Sequence, residues 1–153
     1  PDIALLMSTR TDVKDREWTA EEGVLSNLDE RFQVHQRSDY GDITDWILGT
    51  GVPQVVWVKP PVVRPDPAPV SEMTDPERIA VLHRIIAETV AGSDPARVTS
   101  IDLAAWYATS GLDDGASRLD GMHFEVGAAT TIAERFVGPR LVNVAVGAAG
   151  STG

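Results

Sequence analysis

The sequence predicts an α/β domain, with a parallel β-sheet covered by helices on both faces. Three apolar runs, over residues 2–8, 52–61 and 97–107, are short and bounded by polar or proline residues, as buried strands are. Between them lie segments whose apolar residues recur at helical spacing. Strands that alternate with helices pair in parallel, because each helix carries the chain back to the start of the sheet. At 153 residues, 42% of them hydrophobic, the chain suits one domain with a substantial core.

Each element follows from its own residues. "DIALLMS" (2–8) is an apolar run stopped by polar residues and predicts the first strand. The polar stretch behind it, "TRTDVKDREWTAEEG", predicts a loop. Leu28, Phe32, Ile43, Trp46 and Ile47 fall at helical spacings across 26–47, with an interruption expected at "SDYGD". "VPQVVWVKPP" (52–61) predicts a second strand centred on Val55, Val56, Trp57 and Val58 and ended by prolines. A long loop then leads to a helix over 75–92, with Asp75 as N-cap, Pro76 at the first helical position and Gly92 at the end. Ile79, Leu82, Ile86 and Val90 form its apolar stripe. "RVTSIDLAAWY" (97–107) predicts a third strand ending near Asp102, with a loop up to Arg118. Residues 126–146 predict a closing helix bent at Pro139.

Composition narrows the function. The net charge of −10, from 23 acidic and 13 basic residues, argues against a nucleic-acid partner, since gripping a phosphate backbone takes clustered Lys and Arg. There is no cysteine, hence no disulfide and no thiolate nucleophile. His35, His83 and His123 are scattered without paired spacing, so no metal site is expected, and no cofactor. No apolar run reaches the roughly 18 residues of a membrane span. The start at Pro1, already close to a strand, and the small-residue end "GAAGSTG" suggest a piece of a longer polypeptide, with a domain over 1–147 and a tail over 148–153.

In open parallel sheets, ligands bind beyond the carboxyl ends of the strands. The loops after Ser8, Lys59 and Asp102 leave such ends, and "RLDGMHFE" (118–125) lies where it can reach the same rim. Asp120 precedes His123 by three residues across a glycine. An aspartate so placed can accept a hydrogen bond from one imidazole nitrogen and leave the other free as a base, the orienting half of a serine triad. The alternative is structural, with Asp120 capping the last helix or making a turn with Gly121, and His123 merely packed. Arg10, Asp12, Lys14, Asp15 and Arg16 crowd the first loop, as a solvated charge cluster or as part of the site. Trp57 reads as core and Lys59 as a candidate to face the rim, while Arg64 is open to the same two readings as the charge cluster.

In order and spacing, "DIALLMSTRTDV", "GVPQVVWVKPPVV", "DPERIAVLHRII", "VTSIDLAAWY" and "RLDGMHFEVGAATTIAERFVGPRL" resemble the back two-thirds of an SGNH (GDSL-type) hydrolase domain. The likeness is closest to the C-terminal SGNH domains of membrane-bound acyltransferases that O-acylate cell-surface glycans. It covers nearly the whole chain, and its most specific part is the Asp-Gly-x-His-Phe block at 120–124. The resemblance implies a three-layer α/β/α, flavodoxin-like fold whose first strands are missing from this chain, and a serine nucleophile upstream of Pro1. It makes His123 the general base and Asp120 its orienting acid. The family's Gly-x-Asn-Asp block, or in the membrane-linked group its Gly-x-Trp-Asp/Glu variant, falls on Thr9, Arg10, Thr11 and Asp12, where only the aspartate matches. Thr11 thus replaces an asparagine that donates to the oxyanion, a donor worth about 2.7–4 kcal/mol.

The expected activity is that of a serine esterase or O-acyltransferase acting on acyl esters of envelope glycans. Its parent would carry a membrane acyltransferase domain, and the domain itself would lie outside the cytoplasm. The alternative is a degenerate SGNH-like domain that binds glycan or a partner without catalysis. A nucleotide-binding flavodoxin-like domain ranks last, because no glycine-rich phosphate loop follows any strand.

Overall fold

The computed structural model describes residues 1–8, 10–64 and 71–150. Its centre is a three-stranded, all-parallel sheet ordered β1-β4-β5, built from β1 (Ile3–Met7), β4 (Gln54–Lys59) and β5 (Val98–Asp102). The stretch read as the first loop contains a 3-10 turn (Arg10–Val13) and β2 (Arg16–Glu17), which pairs antiparallel with β3 (Val24–Leu25) just beyond it. Helix α1 (Glu30–Gly49) links β1 to β4, and α2 (Pro76–Ala91) links β4 to β5.

The period-two alternation of β4 divides the core. Val55 and Trp57 face one side with Val98, where they meet Ile79, Leu82 and Ile86 of α2 and Tyr40, Ile47 and Leu48 of α1. Val56 and Val58 face the other side with Ile101, against α3 (Leu103–Thr109) and the C-terminal helical segment, through Leu103, Tyr107, Ile132 and Phe136. The result is a helical layer on each face of the sheet. Two successive right-handed crossovers running the same way across the sheet put α1 and α2 on one face together.

Three expectations are corrected. Helix α1 runs unbroken through Ser38–Asp42, because its buried stripe is partly polar and escapes an apolar count: Phe32, Gln36, Tyr40 and Thr44 repeat every fourth residue toward the core. The Gln36 amide donates to the Asp12 carbonyl (2.8 Å) and the Trp57 indole donates to the Thr44 hydroxyl (3.1 Å). That packing outweighs the roughly 1 kcal/mol that Gly41 costs inside a helix, while Ile43 and Trp46 stay exposed.

The predicted loop between Asp102 and Arg118 holds two short helices, α3 and α4 (Asp114–Ser117), each started by an aspartate N-cap. Asp102 accepts from the Ala105 amide (2.8 Å) and Asp113 from the Ala116 amide (2.7 Å). At seven and four residues, they are too short for periodicity to register.

The closing helix is α5 (Val126–Ile132), a π-turn over Ala133–Val137, and α6 (Gly138–Gly150). Pro139 offers no N–H, and its ring crowds the carbonyl four residues back. One widened turn accommodates it, with the Gly138 amide donating to the Ala133 carbonyl. A Cβ at Gly138 would lie 2.8 Å from that carbonyl oxygen. Helix α6 extends into the stretch expected as a tail, and residues 151–153 lie outside the described part. No helix among the described residues is long and apolar enough to cross a membrane.

Strand β1 is an edge strand, and among the described residues nothing pairs with its outer side. Its Leu5 and Met7 are 45% and 56% exposed. An open, apolar edge recruits other strands, so the isolated chain is expected to self-associate, and Leu5→Lys is expected to reduce the associated fraction in sedimentation velocity. Unchanged sedimentation would place the contact elsewhere.

Candidate functional site

The carboxyl ends of β1 and β4 open onto a cleft of about 670 Å³. Met7 and Ser8 enter it from β1, Thr11 from the 3-10 turn, Pro60, Pro61 and Val63 from the chain leaving β4, and Arg118, Met122, His123 and Phe124 from the loop before α5. Its walls are mostly apolar, with His123 as a titratable group on the rim.

The loop that carries His123 is a built turn. Gly121 sits at φ 76°, its amide donates to the Arg118 carbonyl (2.8 Å), and its own carbonyl accepts from the Arg64 amide (2.9 Å). A Cβ there would stand 2.5 Å from the Arg64 carbonyl oxygen, so both backbone angle and space require glycine. Asp120 Oδ1 accepts from the backbone amides of Met122 (2.9 Å) and His123 (2.8 Å). Its Oδ2 lies 2.6 Å from His123 Nδ1. The turn and the oriented histidine, alternatives in the sequence, are therefore one arrangement. Asp120 does not cap the closing helix, whose N-cap position is Glu125, without a side-chain cap bond.

The electrostatics follow from these contacts. The hydrogen bond from His123, then the two backbone amides, hold the Asp120 carboxyl well below the usual carboxylate range. A neutral imidazole facing an ionised carboxylate carries its proton on Nδ1, which leaves the Nε2 lone pair as a base. The His123 side chain is 76% exposed, so that base is accessible.

The family-derived block divides between two places. Thr11 shares the cleft with His123. Asp12 lines a separate hollow of about 280 Å³ with Tyr40 and Arg16, and its carboxylate pairs with Arg16 at 3.7 Å. Arg10 opens the 3-10 turn, and Thr9 lies outside the described residues. Of the remaining charge cluster, Asp15 pairs with Arg78 on α2 at 2.7 Å.

Ser8 is the only serine among the described residues lining the cleft, and it is not placed as a nucleophile. Its Oγ is sealed from solvent, beside the Tyr40 phenol. Burial, with the Asp12 charge adding to it, pushes that phenol far above its ordinary range. Lys59 pairs with Asp102 at 3.6 Å, His83 Nε2 contacts the Pro60 carbonyl at 2.8 Å, and His35 pairs with Glu22 at 2.8 Å. Trp57 is core, as expected.

The residues that sequence reasoning missed are Arg118 and the role of Arg64. Nothing in the spacing of either marks a partner, yet Arg118 is buried, and Arg64 bonds to the backbone of Arg118 and Gly121 at the Asp120 turn. No protein family, curated protein or solved structure matches this chain.

Two outcomes are expected here. Gly121→Ala should destabilise the fold by at least the roughly 1–2 kcal/mol of a left-handed residue, read as a lower urea midpoint, and an unchanged midpoint would mean that the turn relaxes freely. The folded-state pKa of Asp120 is depressed, so its hold on the turn is complete above the range where an unfolded aspartate titrates. That hold is lost only as pH falls through the lower folded value. The Asp120 carboxyl ¹³C shift should accordingly remain at its ionised position at about pH 3, below the ordinary aspartate value.

Proposed function

We propose that this chain is the C-terminal part of an SGNH-type serine esterase or O-acyltransferase domain, acting on acyl esters of cell-envelope glycans, with its nucleophilic serine supplied from upstream of Pro1. The observation that carries this reading is the 2.6 Å contact between Asp120 Oδ2 and His123 Nδ1, on an accessible histidine at the carboxyl-end rim of a parallel sheet. The order of strands and helices, with the Asp-Gly-x-His-Phe block just before the closing helix, supports the same assignment.

The chemistry requires one base that changes roles. The serine oxygen attacks the ester carbonyl carbon while its proton passes to His123 Nε2, and Asp120, held ionised, stabilises the imidazolium that forms. The tetrahedral intermediate collapses as Nε2 returns the proton to the leaving alcohol oxygen, and the acyl group stays on the serine. Water or a sugar hydroxyl then attacks the acyl-enzyme, again deprotonated by Nε2, and its proton is finally given back to the serine. Thr11 lines the same cleft and is the local candidate to donate to the oxyanion, beside backbone amides of the upstream serine turn. No metal or nucleotide enters these steps. In the full-length parent, a membrane acyltransferase domain would precede this one and hold it outside the cytoplasm.

A second reading, a non-catalytic glycan- or partner-binding domain of the same kind, is favoured by one observation: threonine stands at position 11 where the family places its oxyanion asparagine. The two readings separate in the full-length protein. His123→Ala is expected to lower hydrolysis of a short-chain aryl ester, or acyl transfer to glycan, by about 10²–10⁴-fold, the usual contribution of a positioned acid–base group. Turnover that survives the substitution would sink the triad, and glycan binding without turnover in the unaltered protein would establish the second reading.

A further inference from the structure

We infer that Arg118 is a positioning residue for the Asp120–His123 pair, a role whose importance for turnover rests on the ester chemistry proposed above. The Arg118 side chain is 6% exposed. Its Nε donates to Asp114 Oδ1 (2.6 Å), Nη2 lies 2.6 Å from the same oxygen, and Nη1 donates to the Val62 carbonyl (2.8 Å). The guanidinium lies 5.0 Å from the Tyr107 ring centre and 5.8 Å from that of Phe124. The Arg118 backbone carbonyl accepts from Arg64 Nη2 (2.8 Å) and from the Gly121 amide (2.8 Å).

Three parts of the chain meet in this one residue. Val62 and Arg64 belong to the stretch leaving β4, Tyr107 and Asp114 to α3 and α4, and Gly121 and Phe124 to the turn around His123. A planar fork with several fixed donors can hold a carboxylate and a carbonyl while its face lies against a ring, which a lysine ammonium cannot reproduce. Without it, the Val62 carbonyl loses its donor and the ring of Phe124 loses a neighbour. Phe124 is the residue after His123, so slack there passes directly into the imidazole. The pair would then keep its residues but lose its fixed geometry.

Long-range ¹H–¹⁵N correlation NMR of the three histidines in the full 153-residue chain tests this. In the unaltered protein at a pH where imidazole is neutral, His123 is expected as the Nδ1–H tautomer with a sharp, slowly exchanging downfield proton. Arg118→Met, which keeps the length and apolar contact of the side chain, is expected to convert His123 to a tautomer mixture and erase that proton, leaving the signals of His35 and His83 in place. Arg118→Lys is expected to restore little of it. If Arg118→Met does not fold, Asp114→Asn decides, since it weakens the anchor from an accessible position and is expected to broaden the same proton.

A folded Arg118→Met, or Asp114→Asn where that is the deciding variant, with an unchanged His123 signature overturns the positioning role while the pair itself stands. Absence of the Nδ1–H tautomer in the unaltered protein would instead overturn both the oriented pair and the ester chemistry built on it.

Discussion

The constraint on which the rest depends is the burial of β4 on both faces. Every residue from Gln54 to Val58 is buried, with Val55 and Trp57 turned to one core and Val56 and Val58 to the other. A strand so enclosed has no freedom to slip, because a shift by one residue would exchange its two faces. Its exit point is therefore fixed in space, and Pro60 and Pro61 continue directly into the wall of the cleft. Three residues after Pro61, the Arg64 amide meets the Gly121 carbonyl. The position of the Asp120–His123 turn is thus referred, through a few hydrogen bonds, to the most buried part of the sheet.

The parts of the fold that sequence made legible are those whose chemistry repeats. Val55 to Val58, and the stripe Ile79, Leu82, Ile86, announce a buried strand and a helix by spacing alone. Asp75 and Pro76 mark the start of α2 because capping is a local affair between neighbours. Helix α1 was harder to read, since Gln36 and Thr44 take core positions, where the Gln36 amide nitrogen donates to the Asp12 carbonyl and the Thr44 hydroxyl accepts from Trp57. Such pairings join residues far apart in the chain, and a count of apolar residues cannot see them. The π-turn before Pro139 is likewise the product of a conflict between proline and helix whose resolution depends on what surrounds it.

The site shows the same division. Asp120 and His123 stood out because donor and acceptor are three residues apart and the glycine between them signals a turn. Arg118 did not, although it is only two residues before Asp120, since its partners Val62 and Asp114 come from two other parts of the chain and its burial is a property of the assembled fold. Asp12 carried the strongest match in its block and is nonetheless directed to a different hollow from Thr11, because adjacent residues of a tight turn point to different sides. Identity to a motif gave the residue type there, and backbone geometry gave its destination.

The three-residue separation of Asp120 and His123 also sets when they meet. Closing so short a loop costs little chain entropy, and the Asp120 contacts to the Met122 and His123 amides lie entirely within it. The pair can thus assemble locally, ahead of the long-range packing of the sheet. What packing adds is position, because the turn is set against the end of β4 only when the Arg64 amide meets the Gly121 carbonyl.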